Sequence, residues 1–511
     1  MKTNRQQTQK TTIDNYQNFQ NNSSDFVKEF LEESETFQWT KQWYPLAVVA
    51  FLDPTRPQSI ELLGKKMVLW RDGGGQWRCF DNFCPHRGVP FSEGRIESDG
   101  TLLCAYHGWR FNGEGKCISI PQSIDKLTEE KNCSNRKSCA VAYPTQECQG
   151  ILWVWAESGE QALLESQLRK PRIIPELEEY SDRVQMLTPY FRDFPYGWDF
   201  FMENLSDPAH GPVSHHNIVG NRYKDAKYFD MIPVRKISAQ EGFSFEITPS
   251  IYSKVKYFSH DFQPPCCLKI IYTYEDNSKL ILVFYASPTR PGWCRHIGYQ
   301  VLVKNEQKKQ PRHLFLFGFP LPIWLSHIMS SLFAQQDLVF LHYQEKNLAK
   351  WDKSQWLEEL YLPNPQDKMV VTFRKWLEYR AGGKIPWALE CNPELPPPEQ
   401  DKEKLFDIWT THTQHCLVCQ NTLKNINRLT VLVYIASITC LCLGILLDTR
   451  SVTVQILSGQ ITTFSSALLV PPSGLFWWAI GSGIFFALVG YFLKKIKRLF
   501  YVYEFEHSQN D

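Results

Sequence analysis

The strongest constraint on the fold of this chain is the pairing of cysteine with histidine in two hairpin-like loops, CPHRG at Cys84–Gly88 and CAYHG at Cys104–Gly108. Around them, from Trp43 to about Pro144, short apolar runs (LAVVAFL, KKMVLW, WRCF, TLLCAY) alternate with turn sequences such as RDGGGQW and FNGEGK, the pattern of a small all-β domain. Zinc modules usually keep like ligands together as Cys-x-x-Cys and His-x-x-His. Here each loop supplies one of each, the division that a cluster of two unequal irons requires. On that reading Cys84 and Cys104 hold one iron as thiolates, and His86 and His107 hold the other as imidazoles. Neutral imidazole donors leave such a cluster less negative and raise its potential. Gly88, Gly108, Gly113 and Gly115 fit loop positions at which backbone N–H groups approach the cluster sulfurs. A structural zinc site is the alternative.

A second stretch, ENLSDPAHGPVSHH from Glu203 to His216, gathers acids and histidines without cysteine. On an ideal helix His210 and His215 stand about 140° apart around the axis, too far to share one ion. Gly211-Pro212 is expected to break the helix and let the rings converge. Two imidazoles and one carboxylate make the facial set of a non-haem Fe(II) site. The third donor must come from elsewhere. Asp337, among apolar residues of the expected helix SSLFAQQDLVFLHYQEKNLA, is the best candidate, because burying it unpaired is costly. Glu345 is the runner-up to Asp337, and His216 to His215. Asp207 followed by Pro208 also reads as an N-cap with proline at the first helical position.

At 511 residues, 43% of them apolar, the chain can bury more than one core, and 55 basic against 54 acidic residues give no nucleic-acid or polyanion partner. Fifteen scattered cysteines without a secretory signal favour a reducing compartment. The Gln/Asn/Thr-rich start reads as a disordered tail over 1–40. Near the other end, Leu429–Leu447 and Leu475–Leu493 carry no charge and are each close to the length that crosses a bilayer. Lys424 and Arg428 precede the first, and Lys494, Lys495, Lys497 and Arg498 follow the second, which places both outer ends and the large body on the cytoplasmic or stromal side. The expected class is α+β. An all-β domain spans 41–145, and a catalytic domain with a twisted antiparallel sheet spans 146–398. A linker over 399–428 holds Cys416 and Cys419, a two-helix membrane hairpin spans 429–493, and a basic, polar tail covers 494–511.

The motif C-P-H-R-G with C-x-Y-H-G-W resembles the Rieske [2Fe-2S] domain, and N-L-x-D-P-A-H-x4-H resembles the iron-site motif of Rieske-type oxygenases. With Q-D-x-x-F-L-H-x-Q-E, the start WYPLAVV and the apolar tail, most of residues 40–500 resembles the pheophorbide a oxygenase family, which includes chlorophyllide oxygenases and a chloroplast-envelope relative. The resemblance implies that Asp207, with Asn204 nearby, links a cluster histidine of a neighbouring subunit to an iron histidine, and so implies a homotrimer. It also implies a ferredoxin or reductase as electron donor, O2 as oxidant, and a lipophilic substrate of the chlorophyll-type tetrapyrrole class. The setting it implies is a thylakoid or plasma membrane of a photosynthetic cell. Cys416-x-x-Cys419 is similar to a thiol pair of the family, with a redox role expected. The alternatives are an oxygenase acting on another lipophile such as a sterol, and a membrane-anchored Rieske electron-transfer protein.

Overall fold

Runs such as KLILVFYASPTR and WCRHIGYQVLV are rich in β-branched and aromatic side chains, and in the computed structural model they form the two longest strands, Lys279–Arg290 and Trp293–Val303. The structure describes residues 35–507 apart from 249, 253, 312–313, 315–317, 320, 352–355, 461–462 and 464–471, so most of the tail expected over 1–40 lies outside the described residues. The described residues fall into two units. One runs to Leu405 and takes in Phe505 to His507; the other is Phe406–Glu504.

In the first unit the Cys/His loops belong to a set of small antiparallel sheets. Gln58–Leu62, Lys65–Arg71, Trp77–Asp81 and Ala142–Tyr143 form one; Arg95–Ile96, Leu102–Leu103, Arg110–Phe111 and Cys117–Ser119 form the second, from which the loops spring. A third pairs Ile151–Trp155 with both Trp43–Val48 and Thr145–Cys148. Val68, Trp70, Phe80, Phe91, Leu102 and Phe111 fill the core between the first two, with Cys84 and Cys104 as members of that core. The polar helix Lys126–Cys133, which buries no residue, is the one long departure from β structure here. Its N-cap is Asp125, whose side chain accepts from Thr128 N.

Beyond it stands an eight-stranded antiparallel sheet. Its order is Val184–Met186, Trp293–Val303, Lys279–Arg290, Cys267–Tyr274, Val255–Gln263, Gly242–Thr248 and Asp230–Ser238, with Tyr190–Phe194 also paired to Trp293–Val303. Arg295 on this sheet donates twice to Asp193, at 2.7 Å each, and once to the carbonyl of Leu46 at 3.2 Å, tying the third small sheet to the large one. The helix Trp198–Leu205 packs on the strands Lys279–Arg290 and Trp293–Val303, and meets the helices Ile323–Leu348 and Lys368–Tyr379. Between these elements Phe37, Trp39, Trp198, Phe262, Phe373 and Trp376 pack edge to face or tilted against one another.

The helix contacts contain buried charge. Arg374 donates to Asp199 at 2.9 Å and pairs with Glu203; both acids are 7% exposed. Burial raises the Glu203 pKa, and the Arg374 charge opposes that rise. Gln344 donates to the other Glu203 oxygen at 3.1 Å, so one carboxylate joins three helices.

In the second unit the helices Leu417–Leu457 and Gly474–Arg498 pair along a seam of small residues. A Cβ on Gly444, Gly483 or Gly490 would meet Ile480, Leu441 or Tyr434 within 3 Å, and Ser437 Oγ donates to the Gly483 carbonyl at 2.7 Å. Both helices are long and apolar enough to cross a membrane.

Replacing Arg374 with Met strands two buried carboxylates and is expected to cost about 3–5 kcal/mol. A fall in the urea unfolding midpoint would show it, and the triple change Arg374→Met, Asp199→Asn, Glu203→Gln should recover most of the loss. An Arg374→Met midpoint equal to that of the natural chain would contradict the reading.

Candidate metal centres

The two Cys/His loops are built alike. In each, the cysteine N–H donates to the carbonyl five residues on, Val89 or Trp109, and the glycine N–H returns to the cysteine carbonyl, at 2.9 to 3.0 Å. These turns need a left-handed residue at the glycine, and Gly88 and Gly108 take φ of 75° and 74°. The cysteines are buried, at 2% exposure each, whereas His86 is exposed and His107 half-buried. The two imidazole centroids lie 4.5 Å apart, and the His86 ring stacks on Trp109 at 4.5 Å and 5°.

Burial, with the neighbouring Cys104 thiol, pushes the Cys84 thiol up to about 12, against backbone N–H groups of His86 and Arg87 aimed at its sulfur. Desolvation and the nearby His107 lower the His86 pKa. Two inward thiols, N–H groups pointed at sulfur and two imidazoles nearer the surface form a donor set that suits a cluster with one sulfur-held and one nitrogen-held iron. Gly113 and Gly115 do something else. Both sit in the turn before Cys117–Ser119, where a Cβ on Gly113 would strike the Arg78–Asp72 ion pair and one on Gly115 the Ala140 carbonyl.

The second centre arises where the helix Trp198–Leu205 ends. Asp207 Oδ1 accepts from Ala209 N at 2.8 Å, so it closes a tight turn around Pro208 and does not cap a helix. The expected break at Gly211-Pro212 is also displaced. Gly211–Ser214 is itself a single helical turn with proline in its first positions, and the chain departs from helix on either side of it. His210 and His215 flank that turn, at its N-cap and C-cap, with ring centroids 5.4 Å apart. The helix Ile323–Leu348 brings Asp337 to them: its Oδ2 lies 3.0 Å from His215 Nε2 and 3.8 Å from His210 Nε2.

Each of the three donors is oriented from behind. Gln336 Oε1 lies 2.7 Å from His215 Nδ1, the His215 ring stacks on Phe333 at 4.3 Å, and Asn204 Nδ2 donates to Asp337 Oδ2 at 3.2 Å. Asp207 Oδ2 faces His210 Nδ1 at 3.6 Å, which is ion-pair distance, longer than a hydrogen bond. Both histidines therefore turn Nε2 to the carboxylate and Nδ1 to a polar partner. Burial alone would raise Asp337, but the His215 bond and the His210 and His215 charges hold it at about 2. Burial would lower His210, and Asp207 and Asp337 outweigh it, carrying its pKa to about 9. Two imidazoles flanking one helical turn and a carboxylate from another helix, at this spacing, fit one mononuclear iron with positions left open.

The runners-up are engaged elsewhere. His216 Nδ1 accepts from Arg222 N at 3.0 Å, and Glu345 accepts from Gly197 N at 3.0 Å and pairs with Lys346 at 2.7 Å. Cys416 and Cys419 lie in the second unit, buried and not disulfide-bonded. Three further residues gather at the site. Gln336 orients His215, and its carbonyl meets His507 Nε2 at 2.7 Å, with the His507 ring stacked on Phe340. His260 bonds the Leu205 carbonyl at 2.9 Å and is pushed down to about 4 by burial. Among them Gln336 is marked in the sequence, as the first residue of the Q-D-x-x-F-L-H-x-Q-E motif, whereas His260 and His507 are brought in by strand pairing and by the returning C-terminal segment.

Residues 42–128 match the model of the Rieske [2Fe-2S] domain, and 262–355 match that of pheophorbide a oxygenase. Flavonoid 8-hydroxylase 2 of Ocimum basilicum is 31% identical over 78% of this chain and 76% of its own length. Pheophorbide a oxygenase of Arabidopsis thaliana is 32% identical over 76% of this chain and 73% of its own. Both are chloroplastic proteins. In fold, the crystal structure of dicamba monooxygenase bound to dicamba superposes with a TM-score of 0.51 at 17% identity, covering 68% of this chain and 98% of that one. The chain belongs to the pheophorbide a oxygenase family, Rieske-type oxygenases that carry a [2Fe-2S] cluster and a mononuclear non-haem iron.

Proposed function

We propose that this chain is a membrane-tethered oxygenase that uses O2, and electrons from a ferredoxin or a reductase, to oxidise a lipophilic conjugated substrate of the chlorophyll-type tetrapyrrole class. The observation that carries it is the meeting of His210, His215 and Asp337 around one point. Cys84, His86, Cys104 and His107 would hold the cluster, and His210, His215 and Asp337 the iron, which together would supply one-electron transfer and O2 activation.

The residues of the chain do the rest. Gln336 fixes the His215 ring so that Nε2 faces the metal position, and Asn204 holds the Asp337 oxygen that both imidazoles share. Asp207 stands behind His210, which supports a role for it as the link from His210 to a cluster histidine of another subunit in a homotrimer. The exposure of His86 leaves the nitrogen-held side of the cluster accessible to such a neighbour or to a donor protein.

The tether reading rests on exposed apolar side chains along both long helices, among them Leu432, Ile438, Leu446 and Phe485, each at least 60% exposed. Basic residues at the outer ends, Lys424, Arg428, Lys494, Lys495, Lys497 and Arg498, favour a catalytic body on the cytoplasmic or stromal side, and the chloroplastic relatives support a thylakoid or plasma membrane of a photosynthetic cell. The similarity to a relative named for flavonoid hydroxylation keeps a flavonoid as the second substrate reading.

Reduced full-length protein should convert at least one tetrapyrrole, in a panel of tetrapyrroles and flavonoids, to a product heavier by incorporated oxygen. Asp337→Ala should lose about one iron per chain with the cluster spectrum intact, and turnover should fall to background. Turnover of flavonoids alone would replace the tetrapyrrole reading, and unchanged iron in Asp337→Ala would remove that residue from the ligand set.

Asp207→Ala should retain both metals and lose roughly 10–100-fold in turnover, as outer residues of metal sites do. Rapid-mixing reduction of the cluster should stay fast while electron delivery to the mononuclear iron slows. Iron loss in this variant would make Asp207 a direct ligand.

Loading of the mononuclear site should depend on pH. In the metal-free chain the folded pKa of His210, about 9, lies above its ordinary 6.5, so the charged ring stabilises the fold fully below pH 6.5 and this is lost as pH rises through about 9. Iron must displace that proton. Affinity for Fe(II), measured anaerobically on metal-free protein, is expected to rise by up to roughly tenfold per pH unit across the interval and level off above it. A flat profile would contradict the assignment.

A further inference from the structure

The cysteine pair at Cys416 and Cys419 has a third neighbour that the sequence motif does not contain. Asp407 folds the preceding loop on itself: its side chain accepts from Trp409 N at 2.8 Å, and its carbonyl accepts from Thr411 Oγ1 at 2.5 Å. The loop is pinned again where Thr413 Oγ1 donates to the Phe500 carbonyl at 2.7 Å and where Trp409 stacks on Tyr501. This arrangement turns His412 back onto the first turn of the helix Leu417–Leu457, with its Nε2 3.4 Å from Cys419 Sγ. The donor atoms of His412, Cys416 and Cys419 all lie within 4.8 Å of one another, and the residues are 2%, 0% and 1% exposed.

A disulfide would use two of these three groups and give the histidine no part. Three soft donors at one buried point are the usual surroundings of a metal. With zinc–sulfur bonds of about 2.3 Å and zinc–nitrogen bonds of about 2.0–2.1 Å, tetrahedral geometry separates sulfur from nitrogen by about 3.5 Å. The observed 3.4 Å needs almost no movement. Cys416 is the N-cap of a 41-residue helix and Cys419 lies in its first turn, so both sulfurs sit at the positive end of the helix, where a bound anion or thiolate is complemented by the helix dipole.

We propose that His412, Cys416 and Cys419 bind a thiophilic divalent cation, zinc by its preference for mixed sulfur and imidazole donors, with one tetrahedral position left for a further donor. The spacing His-x3-Cys-x2-Cys then serves to lock the loop Asp407–His415 onto the start of the first long apolar helix. Binding releases the thiol protons and breaks no other bond, so it needs no oxidant.

The test uses the full chain in detergent, prepared under reductant with the [2Fe-2S] cluster filled. About one zinc per chain is expected in addition to iron. Exchange with Co(II) should give the near-ultraviolet thiolate-to-cobalt band and the visible bands of a tetrahedral ion. Cys416→Ser, Cys419→Ser and His412→Ala should each weaken cobalt binding by at least roughly tenfold, in line with loss of a ligand. Cys442→Ser, an exposed thiol of the same helix, should leave it unchanged. His412→Cys should restore binding with a stronger thiolate band, which a merely structural histidine would not do. The proposal is overturned if the natural chain takes up neither zinc nor cobalt, or if the cobalt bands persist undiminished in both cysteine variants. Should those variants fail to fold, the natural chain and His412→Cys decide it on their cobalt spectra alone.

Discussion

A single carboxylate in a nearly dry place organises the catalytic half of this molecule. Asp337 cannot be buried as a lone ion without a large cost, and its surroundings are what offsets that cost: two imidazoles on its Oδ2 side and the Asn204 amide. Those partners come from three places, the end of the helix Trp198–Leu205 and the two flanks of the turn Gly211–Ser214. The elements that carry them must then be held to within a fraction of an ångström. Glu203, one residue before Asn204, is bound by Arg374 and Gln344 from two other helices, so the charge that fixes the site is itself fixed by charge. Buried ionic contacts contribute little net stability, but they impose position, and position is what a three-donor centre needs.

The Cys/His loops solve a related problem in reverse. Thiols tolerate an apolar core, so Cys84 and Cys104 lie among Trp70, Phe80 and Phe91 as any small apolar residue could. Imidazoles keep a second nitrogen that must find a polar partner, so His86 stays at the surface, where Trp109 shields one ring face and leaves the edge open. Two residues of spacing in one loop and three in the other are enough to turn the chain from inside to outside. The glycine at the end of each loop supplies the left-handed step that makes the turn close.

How much of this was legible in the sequence follows the range of the interactions. The Cys/His loops and the histidine pair are local, carried by a few adjacent residues, and their residue types suggest the chemistry proposed for them. The sheet was legible as a class, since long runs of β-branched and aromatic residues have few other uses, though its order was not. Asp337 could be picked out because an acid among Leu338, Val339 and Leu341 needs a reason. His260 and His507 gave no such sign. Each is an ordinary histidine until strand pairing or the returning C-terminal segment sets it beside Leu205 or Gln336. The misplaced helix break at Gly211-Pro212 has the same origin: proline tolerates a first helical turn as readily as it ends one, and only the geometry at His210 decides between them.

The paired apolar helices obey different rules from the rest of the chain, and the sequence shows the change. In the catalytic unit large side chains meet in the core and glycines mark turns. Along Leu417–Leu457 and Gly474–Arg498 the small residues Gly444, Gly483 and Gly490 lie in the contact against Ile480, Leu441 and Tyr434, while Leu432, Ile438, Leu446 and Phe485 point outward. In water that arrangement leaves the hydrophobic effect unused. In a bilayer the outward side chains are solvated by acyl chains, association depends on close backbone approach and on hydrogen bonds such as Ser437 to Gly483, and glycine is then the residue that lets the helices meet. The proposed tether therefore rests on where the large and small side chains are placed as much as on the length of the apolar runs.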